Sequence, residues 1–284
     1  MTVSTAPLPK AFIWRRLHSL MGLWLVLFLI EHLLTNSQAA LWVGENGQGF
    51  VRMVNGLHNL PYLQVIEIAL LGVPILIHLV WGVKYLFTAK SNSRSSDGTK
   101  PSLPQYGRNR AYTWQRITSW ILLFCIIGHV VKFRFLEYPT NVYEGNQSFY
   151  FIRVSLDNGL YTVADRLGVK LYDKQAAAEV AALSAVDLSH GEVIAVSKDF
   201  GTATLLAVRD VFKNPIYVAA YTIFVLAACF HAFNGLWTFM ITWGWILRAA
   251  AQKRMAAFCV ALMLVIAFLG LASVWGTYWV NLRY

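Results

Sequence analysis

Four histidines lie deep within long apolar stretches of this 284-residue chain, namely His32, His78, His129 and His231. A lipid bilayer holds no water to solvate an imidazole ring, so a histidine there costs free energy unless something binds it. Neutral imidazoles are good ligands for iron, and two facing rings can hold a haem from both sides. Four such histidines on four helices therefore predict two bis-histidine haem sites. The alternative is a set of buried hydrogen-bonding or proton-relay histidines.

The apolar composition indicates a membrane protein. Hydrophobic residues make up 57% of the chain and charged residues only 13%, whereas soluble domains carry roughly 25% charged residues. Each of five apolar stretches is long enough to supply the roughly 20 helical residues that cross a bilayer. They extend from about Phe12 to Leu34, Tyr62 to Phe87, Tyr112 to Phe133, Pro215 to Trp245 and Met255 to Trp279. We expect an all-α integral membrane protein with five transmembrane helices, the first four forming a haem-binding bundle.

Basic residues between the apolar stretches predict the orientation of the chain. Lysine and arginine cluster before the first span, between the second and third spans, and between the fourth and fifth. The positive-inside rule places these segments and the N-terminus in the cytoplasm, and the C-terminus outside. The net charge of +10 follows from these clusters, so we expect membrane lipid and no nucleic acid as a partner.

The three cysteines, Cys125, Cys229 and Cys259, all lie in apolar stretches. No C-x-x-C-H motif for covalent haem attachment is present, so any haem is expected to be bound non-covalently. We interpret the cysteines as small apolar residues that fill space between helices.

The depth of each histidine sorts the four into two pairs. At about 1.5 Å of helix rise per residue, His32 and His129 lie about 22 and about 18 Å from the cytoplasmic ends of their helices. His78 and His231 each lie about 23 Å from the outer ends. This predicts an outer pair, His32 with His129, and an inner pair, His78 with His231. The two irons would be separated by roughly 10–15 Å along the membrane normal.

Glycines accompany three of these histidines. Gly82 and Gly235 each follow a histidine of the inner pair by four residues and so share its helix face, while Gly128 precedes His129. A missing side chain there leaves room for a porphyrin edge. The alternative is that these glycines serve close helix packing.

A long outer loop does not resemble a membrane segment. We divide the chain into residues 1–139 with the first three spans, an outer insert at 140–214, and residues 215–284 with the last two spans. The insert's pattern predicts a helix over Gln175–Ala185, a strand over Glu192–Ser197 and a helix over Gly201–Phe212. Its mixed composition indicates a small folded cap, with its only histidine, His190, in solvent.

Several segments together resemble a known family. They are Arg15-Arg16-Leu17-His18-Ser19-Leu20, Glu31-His32-Leu33, Ile77-His78, Gly128-His129-Val130 and Phe230-His231-Ala232-Phe233-Asn234-Gly235-Leu236-Trp237. The chain resembles the membrane anchors of bacterial succinate dehydrogenases and fumarate reductases, in particular the single-subunit, five-helix, di-haem cytochrome b type. The resemblance covers all five helices in order and leaves out the outer insert.

The resemblance implies a function in a respiratory complex. A flavoprotein subunit and an iron–sulfur subunit would dock on the cytoplasmic face of a bacterial inner membrane. The anchor would exchange their electrons with a membrane quinone, expected to be menaquinone, through two b haems, and the succinate or fumarate site would lie outside this chain. His78 and His231 would ligate the inner haem iron, and His32 and His129 the outer one.

Other polar residues near the predicted haems are weaker candidates. Arg16, His18 and Ser19 lie at the inner end of the first helix, where they can hold haem propionates or a quinone carbonyl. Arg15 and Glu31 are candidates for quinone binding or proton transfer, since a carboxyl in an apolar stretch can carry protons. The alternatives are headgroup anchoring for the arginines and an interfacial position for Glu31. His58, in the first outer loop, is expected to be solvated or interfacial.

Two other functions compete with this interpretation. One is the haem b subunit of another membrane oxidoreductase, such as a hydrogenase or formate dehydrogenase, which the segments around His18 and His231 disfavour. The other is a transporter without haem whose histidines relay protons. The chain shows no evident inverted repeat that would support the transporter.

Overall fold

The computed structural model describes residues 8–40, 47–88, 103, 105–144 and 147–282. Within these residues five helices are long and apolar enough to cross a membrane: Lys10–Ser37, Leu63–Thr88, Gly107–Leu136, Pro215–Thr242 and Ala249–Leu282. The prediction of an all-α membrane protein with five spans is therefore confirmed, with boundaries a few residues from those expected. Most of the basic segment between the second and third spans lies outside the described residues.

The elements follow one another in a simple order. The helices are α1 (Lys10–Ser37), α2 (Gln48–His58), α3 (Leu63–Glu67), α4 (Val73–Thr88), α5 (Gly107–Val130), α6 (Asn158–Leu167), α7 (Lys174–Ala178), α8 (Phe200–Val211), α9 (Pro215–Thr242) and α10 (Ala249–Leu282). The strands are β1 (Thr140–Glu144), β2 (Gln147–Ser155), β3 (Lys170–Tyr172) and β4 (Glu192–Ser197). The first, fourth and fifth spans are α1, α9 and α10. The second span is α3 and α4 joined by a π-helical turn at Ile68–Gly72, and the third is α5 extended by a π-helical turn at Val131–Leu136.

The second span is irregular in the turn that precedes Pro74. Proline has no N–H, so the carbonyl four residues earlier, that of Leu70, loses its helical donor. The backbone widens into a π-helical turn at Ile68–Gly72, and the Trp24 indole N–H donates to the Leu70 carbonyl at 2.5 Å. A side chain of the first span thus satisfies a backbone group that lipid cannot.

The outer insert is built on a four-stranded antiparallel sheet in the order β1-β2-β4-β3. The strand predicted at Glu192–Ser197 is confirmed as β4, a central strand whose residues Ile194 and Ala195 are fully buried. The helix predicted at Gly201–Phe212 is confirmed as α8. The helix predicted over Gln175–Ala185 is wrong in length, because α7 ends at Ala178.

Three strands and a helix of the insert were not predicted. Residues 150–155 of β2 pair with β4, and the inward residues Ile152 and Val154 pack with Leu160 of α6 and Leu206 of α8. The side chains of Asp157, Asp173 and Asp199 cap the first turns of α6, α7 and α8 by accepting backbone N–H groups.

The described chain divides into two compact units. The first comprises described residues within 1–31, 64–124 and 226–266. The second comprises described residues within 32–63, 125–225 and 267–284, and so contains α2 and the insert. Each unit contains one of the two predicted histidine pairs.

Candidate haem-binding sites

In the first unit the inner pair comes together as predicted. His78 of α4 and His231 of α9 have ring centroids 6.2 Å apart, with the ring planes at 81°. Both side chains are half-buried. The sequence pairs them by depth alone, and the fold brings the two rings together edge to face from helices far apart in the chain.

The hydrogen bonds of the inner pair engage Nδ1 of each ring and leave Nε2 available. Nδ1 of His78 lies 3.1 Å from the backbone carbonyl of His18, an acceptor, so this nitrogen carries the proton. Nδ1 of His231 lies 3.4 and 3.5 Å from the hydroxyls of Thr118 and Ser119. Those hydroxyls donate to backbone carbonyls of their own helix, so their oxygens accept from His231. Each Nε2 is then a free lone pair, as a metal ligand requires.

Gln115 fixes the helix segment that carries His231. Its Nε2 donates to the His231 carbonyl at 3.0 Å, and its Oε1 accepts from the Asn234 amide at 2.7 Å. A half-buried amide with both ends satisfied holds α9 at one rotation against α5.

His18 lies against the inner pair without being one of its members. Its ring stacks on His78 with centroids 4.1 Å apart and planes 10° from parallel. Gly22, one turn later on α1, lies so close that a Cβ there would be 2.9 Å from Cε1 of His78. A Cβ at Gly82 would be in ordinary contact with His18, at 3.8 Å. The glycine that makes room for His78 is therefore Gly22, which sequence reasoning missed.

Arg16 and Ser19 contact the end of α9. The Arg16 guanidinium donates to the Thr242 carbonyl and lies 5.2 Å from the ring centre of Trp243. The Trp243 indole N–H donates to Ser19 Oγ at 3.3 Å. The predicted propionate or quinone partners thus lie in the unit that contains the inner pair, and their proposed roles remain predictions.

In the second unit the outer pair also comes together. His32 of α1 and His129 of α5 have ring centroids 5.8 Å apart and ring planes at 84°. Nδ1 of His129 lies 3.2 Å from the hydroxyl of Tyr221. The amide nitrogen of Asn36, one turn after His32, lies 3.5 Å from both ring nitrogens of His32 and donates to the His32 carbonyl at 2.8 Å.

Both pairs have the spacing that an axially ligated iron needs. A metal–imidazole bond is about 2.0 Å long, so two axial nitrogens lie about 4 Å apart and the ring centroids about 6 Å apart. The centroid distances of 6.2 and 5.8 Å agree with that value. Among the described residues no three His, Cys, Asp or Glu side chains gather as a metal site. A haem needs only two protein ligands, because its porphyrin supplies the others.

Glu31 and Arg15 both lie on α1 and differ in exposure. Glu31 is half-buried and Arg15 is exposed. Their predicted roles toward quinone and protons remain predictions.

A cavity of about 500 Å³ in the second unit contains His58 and carries no carboxylate among its lining residues. The His58 ring stacks on Phe200 at 3.9 Å, and its Nε2 lies 3.3 Å from the Tyr150 hydroxyl. The His58 side chain is half-buried against the insert and so is not fully solvated, its expected interfacial position remains a prediction, and His190 is exposed as predicted. Burial raises the pKa of Tyr150, and the nearby Tyr143, Tyr138 and Asp199 add to the effect.

Sequence reasoning missed the polar residues that orient the histidines. These are Gln115, Thr118, Ser119 and Tyr221, each polar and each within a predicted span. A signal was available, because polar side chains in a membrane helix need internal partners. Which histidine each one serves depends on helix rotation, which the sequence does not give.

Comparison with known proteins supports the family resemblance. The chain is 24% identical over 267 residues to the succinate dehydrogenase cytochrome b558 subunit of Bacillus subtilis (strain 168), covering 93% of this chain and 96% of that relative. Models of protein families and solved structures gave no match. The similarity confirms the resemblance to cytochrome b anchors of succinate dehydrogenases.

Proposed function

We propose that this chain is the cytochrome b membrane anchor of a succinate dehydrogenase or fumarate reductase in a bacterial inner membrane. It would pass electrons between an iron–sulfur subunit and membrane quinone, with menaquinone as the expected quinone. The observation that carries the proposal is the pair of facing imidazoles in each unit, with centroids 6.2 and 5.8 Å apart. Similarity to the Bacillus subtilis subunit over 93% of the chain supports it.

The residues of this chain have definite tasks in the proposal. His78 and His231 would ligate the inner haem iron, and His32 and His129 the outer one. One-electron transfer is the chemistry that a haem supplies when bound. With two histidines on each iron, oxygen would not bind to it directly. Carbonyl and hydroxyl acceptors at Nδ1 hold the inner imidazoles in the ligating tautomer.

Polar groups near the inner end of α1 would serve the inner site. Arg16, His18 and Ser19 can supply positive charge or hydrogen bonds to propionates or to a quinone carbonyl. Glu31 and Arg15 can take part in quinone binding or in moving its protons. The flavoprotein and iron–sulfur subunits would dock on the basic, cytoplasmic side, where the positive-inside rule places the N-terminus.

The experiment that tests this proposal is haem quantitation with a dithionite-reduced minus oxidised spectrum of the protein purified in detergent. The wild type and His190→Ala, whose side chain is exposed in the insert, are expected to hold two b haems per chain. His78→Ala should lose one haem and His32→Ala the other, with distinct spectral bands. A folded wild-type chain without haem would overturn the proposal and favour the proton-relay transporter.

A further inference from the structure

The outer pair differs from the inner pair in how its ring nitrogens are held. In the inner pair the acceptors at Nδ1 are a backbone carbonyl and two hydroxyls whose protons are already engaged. His129 instead faces one phenol, Tyr221, at 3.2 Å. A phenol can accept a hydrogen bond from Nδ1 or donate one to it, so this contact decides which nitrogen of His129 carries the proton.

Only one of the two arrangements suits a metal ligand. If Tyr221 donates, the proton of the neutral ring lies on Nε2 and blocks that lone pair. If Tyr221 accepts, Nδ1 holds the proton and Nε2 is free to bind iron. An acceptor at the far nitrogen also makes the imidazole a stronger donor to the metal, which stabilises the oxidised iron.

Aromatic packing fixes the position of the Tyr221 ring. Phe133, Phe224 and Phe212 surround it, with ring centroids 6.2, 5.8 and 5.2 Å away. Phe133 and Phe224 also contact the His129 ring itself. The ring of Tyr221 therefore has little freedom to move its hydroxyl away from Nδ1.

Phe212 belongs to the outer insert. It follows the last residue of α8, is 4% exposed and meets Tyr221 edge to face at 89°. The insert also contacts α10, where the Asn281 amide donates to the Arg209 carbonyl at 2.9 Å. A continuous line of contacts therefore leads from the insert through Phe212 and Tyr221 to His129.

We propose that Tyr221 is the positioning residue of the outer haem ligand His129, and that the outer insert holds Tyr221 in place through Phe212. This inference rests on the proposed function, because it assigns Tyr221 a task toward a haem that His129 would ligate. It gives the insert a role in setting the properties of the outer site.

The test measures the midpoint potential of each haem by redox titration, together with the electron paramagnetic resonance spectrum of the oxidised protein. Tyr221→Phe keeps the ring and removes the hydroxyl. It should retain two haems, raise the potential of the outer haem, which His32→Ala identifies, and leave the inner haem unchanged. Phe212→Leu should change the outer haem alone in its spectrum and potential, by a smaller amount.

Two controls accompany these variants. Tyr217→Phe alters a tyrosine one turn earlier on the same helix, whose ring faces Lys132, and His190→Ala alters the exposed surface of the insert. Both should match the wild type. If Tyr221→Phe holds two haems with unchanged potentials, or shifts both equally, the inference is wrong while the proposed function stands. Absence of haem from the wild type would instead end the proposed function.

Discussion

Single hydrogen bonds decide what each imidazole can do. His78 and His231 lie in an apolar environment, yet each has an acceptor at Nδ1 that leaves Nε2 uncommitted. The groups that create this arrangement are a backbone carbonyl and two hydroxyls. Gly22 adds the space that a larger side chain would occupy. The inner pair therefore depends on the space beside His78 and on which nitrogen of each ring carries the proton.

Gly22→Val is expected to reduce the occupancy of the inner haem. A Cβ at this position would lie 2.9 Å from Cε1 of His78, so the imidazole must rotate away from His231. Haem quantitation should show the loss of up to one haem, with the outer haem retained. Gly107→Val is the matched control, because a Cβ there meets nothing within 4 Å among the described residues, and equal haem loss in both variants would contradict the prediction.

Asp157 is the most heavily paired carboxylate of the insert. It accepts two hydrogen bonds from Arg209, at 2.8 and 2.7 Å, and lies 2.6 Å from Lys213 Nζ. Burial alone would raise the pKa of Asp157, but the hydrogen bonds and charges of Arg209 and Lys213 hold it well below its usual range. The same carboxylate caps α6 through the Gly159 N–H.

Asp157→Asn should therefore destabilise the insert and change its response to acid. We expect a loss of about 1–3 kcal/mol at neutral pH, since Arg209 is left buried without its counter-charge. Because the folded pKa is depressed, the stabilisation by Asp157 is full above the unfolded value of about 3.9 and is lost as the pH falls below it. The rate of proteolysis within residues 140–214 between pH 7 and pH 3 measures both effects.

Asp187→Asn is the control for that experiment, because Asp187 is an exposed carboxylate of the same insert. Its proteolysis rate should follow the wild type across the pH range. A wild-type and an Asp157→Asn insert that lose stability in parallel below pH 4 would show that Asp157 is not the titrating group.

At the scale of elements, the second span contains an irregular turn, and a side chain of the first span donates to a carbonyl in that turn. Pro74 removes the donor for the Leu70 carbonyl, the helix widens at Ile68–Gly72, and Trp24 of α1 supplies the missing N–H. The same helix carries His78 four residues after Pro74. The contact between Trp24 and Leu70 thus ties α1 to the helix that carries His78 of the inner pair.

Trp24→Phe is expected to lower the thermal midpoint of the detergent-purified protein. It keeps an aromatic ring but leaves the Leu70 carbonyl without a donor, at a cost of about 1–3 kcal/mol. Trp114→Phe, on the exposed face of α5 with 55% of its surface accessible, should leave the midpoint within error of the wild type. Equal midpoints for all three proteins would rule out a stabilising role for the Trp24 hydrogen bond.

At the scale of the whole molecule, the chain combines a membrane-spanning part with a folded insert. The insert is joined to α2 by Asn55, which donates to Asp199 at 2.8 Å and accepts from the Gly201 N–H at 2.7 Å. The second unit therefore unites the first outer loop, the insert and the outer pair. The charge pattern predicts that this unit lies toward the outer side of the membrane.

Cysteine labelling in intact cells tests that orientation. In His190→Cys the new thiol lies on the exposed surface of the insert, and a membrane-impermeant maleimide should label it without permeabilisation. In Arg248→Cys the thiol lies between the fourth and fifth spans, so labelling should need permeabilised cells. The wild type measures background from Cys125, Cys229 and Cys259, and the reverse labelling pattern would invert the orientation.

The sequence by itself determined the spans, the pairing of the histidines and the family resemblance. It could do so because the hydrophobic length of a membrane helix and the cost of a buried imidazole are local properties of the chain. In the insert it determined β4 and α8, whose apolar patterns are strong, but not β2 or β3. Their pairing with β4 depends on contacts between distant residues.

Only the tertiary structure decided which groups orient the histidines. Gly22, Ser119 and Tyr221 become relevant through helix rotation and close approach, and these depend on side-chain packing across helices rather than on spacing along one of them. The same holds for His58, which the sequence places in solvent or at the interface and the fold stacks on Phe200. The depth of a residue within a membrane helix can be predicted from the sequence, whereas the direction in which its side chain points depends on the neighbouring helices.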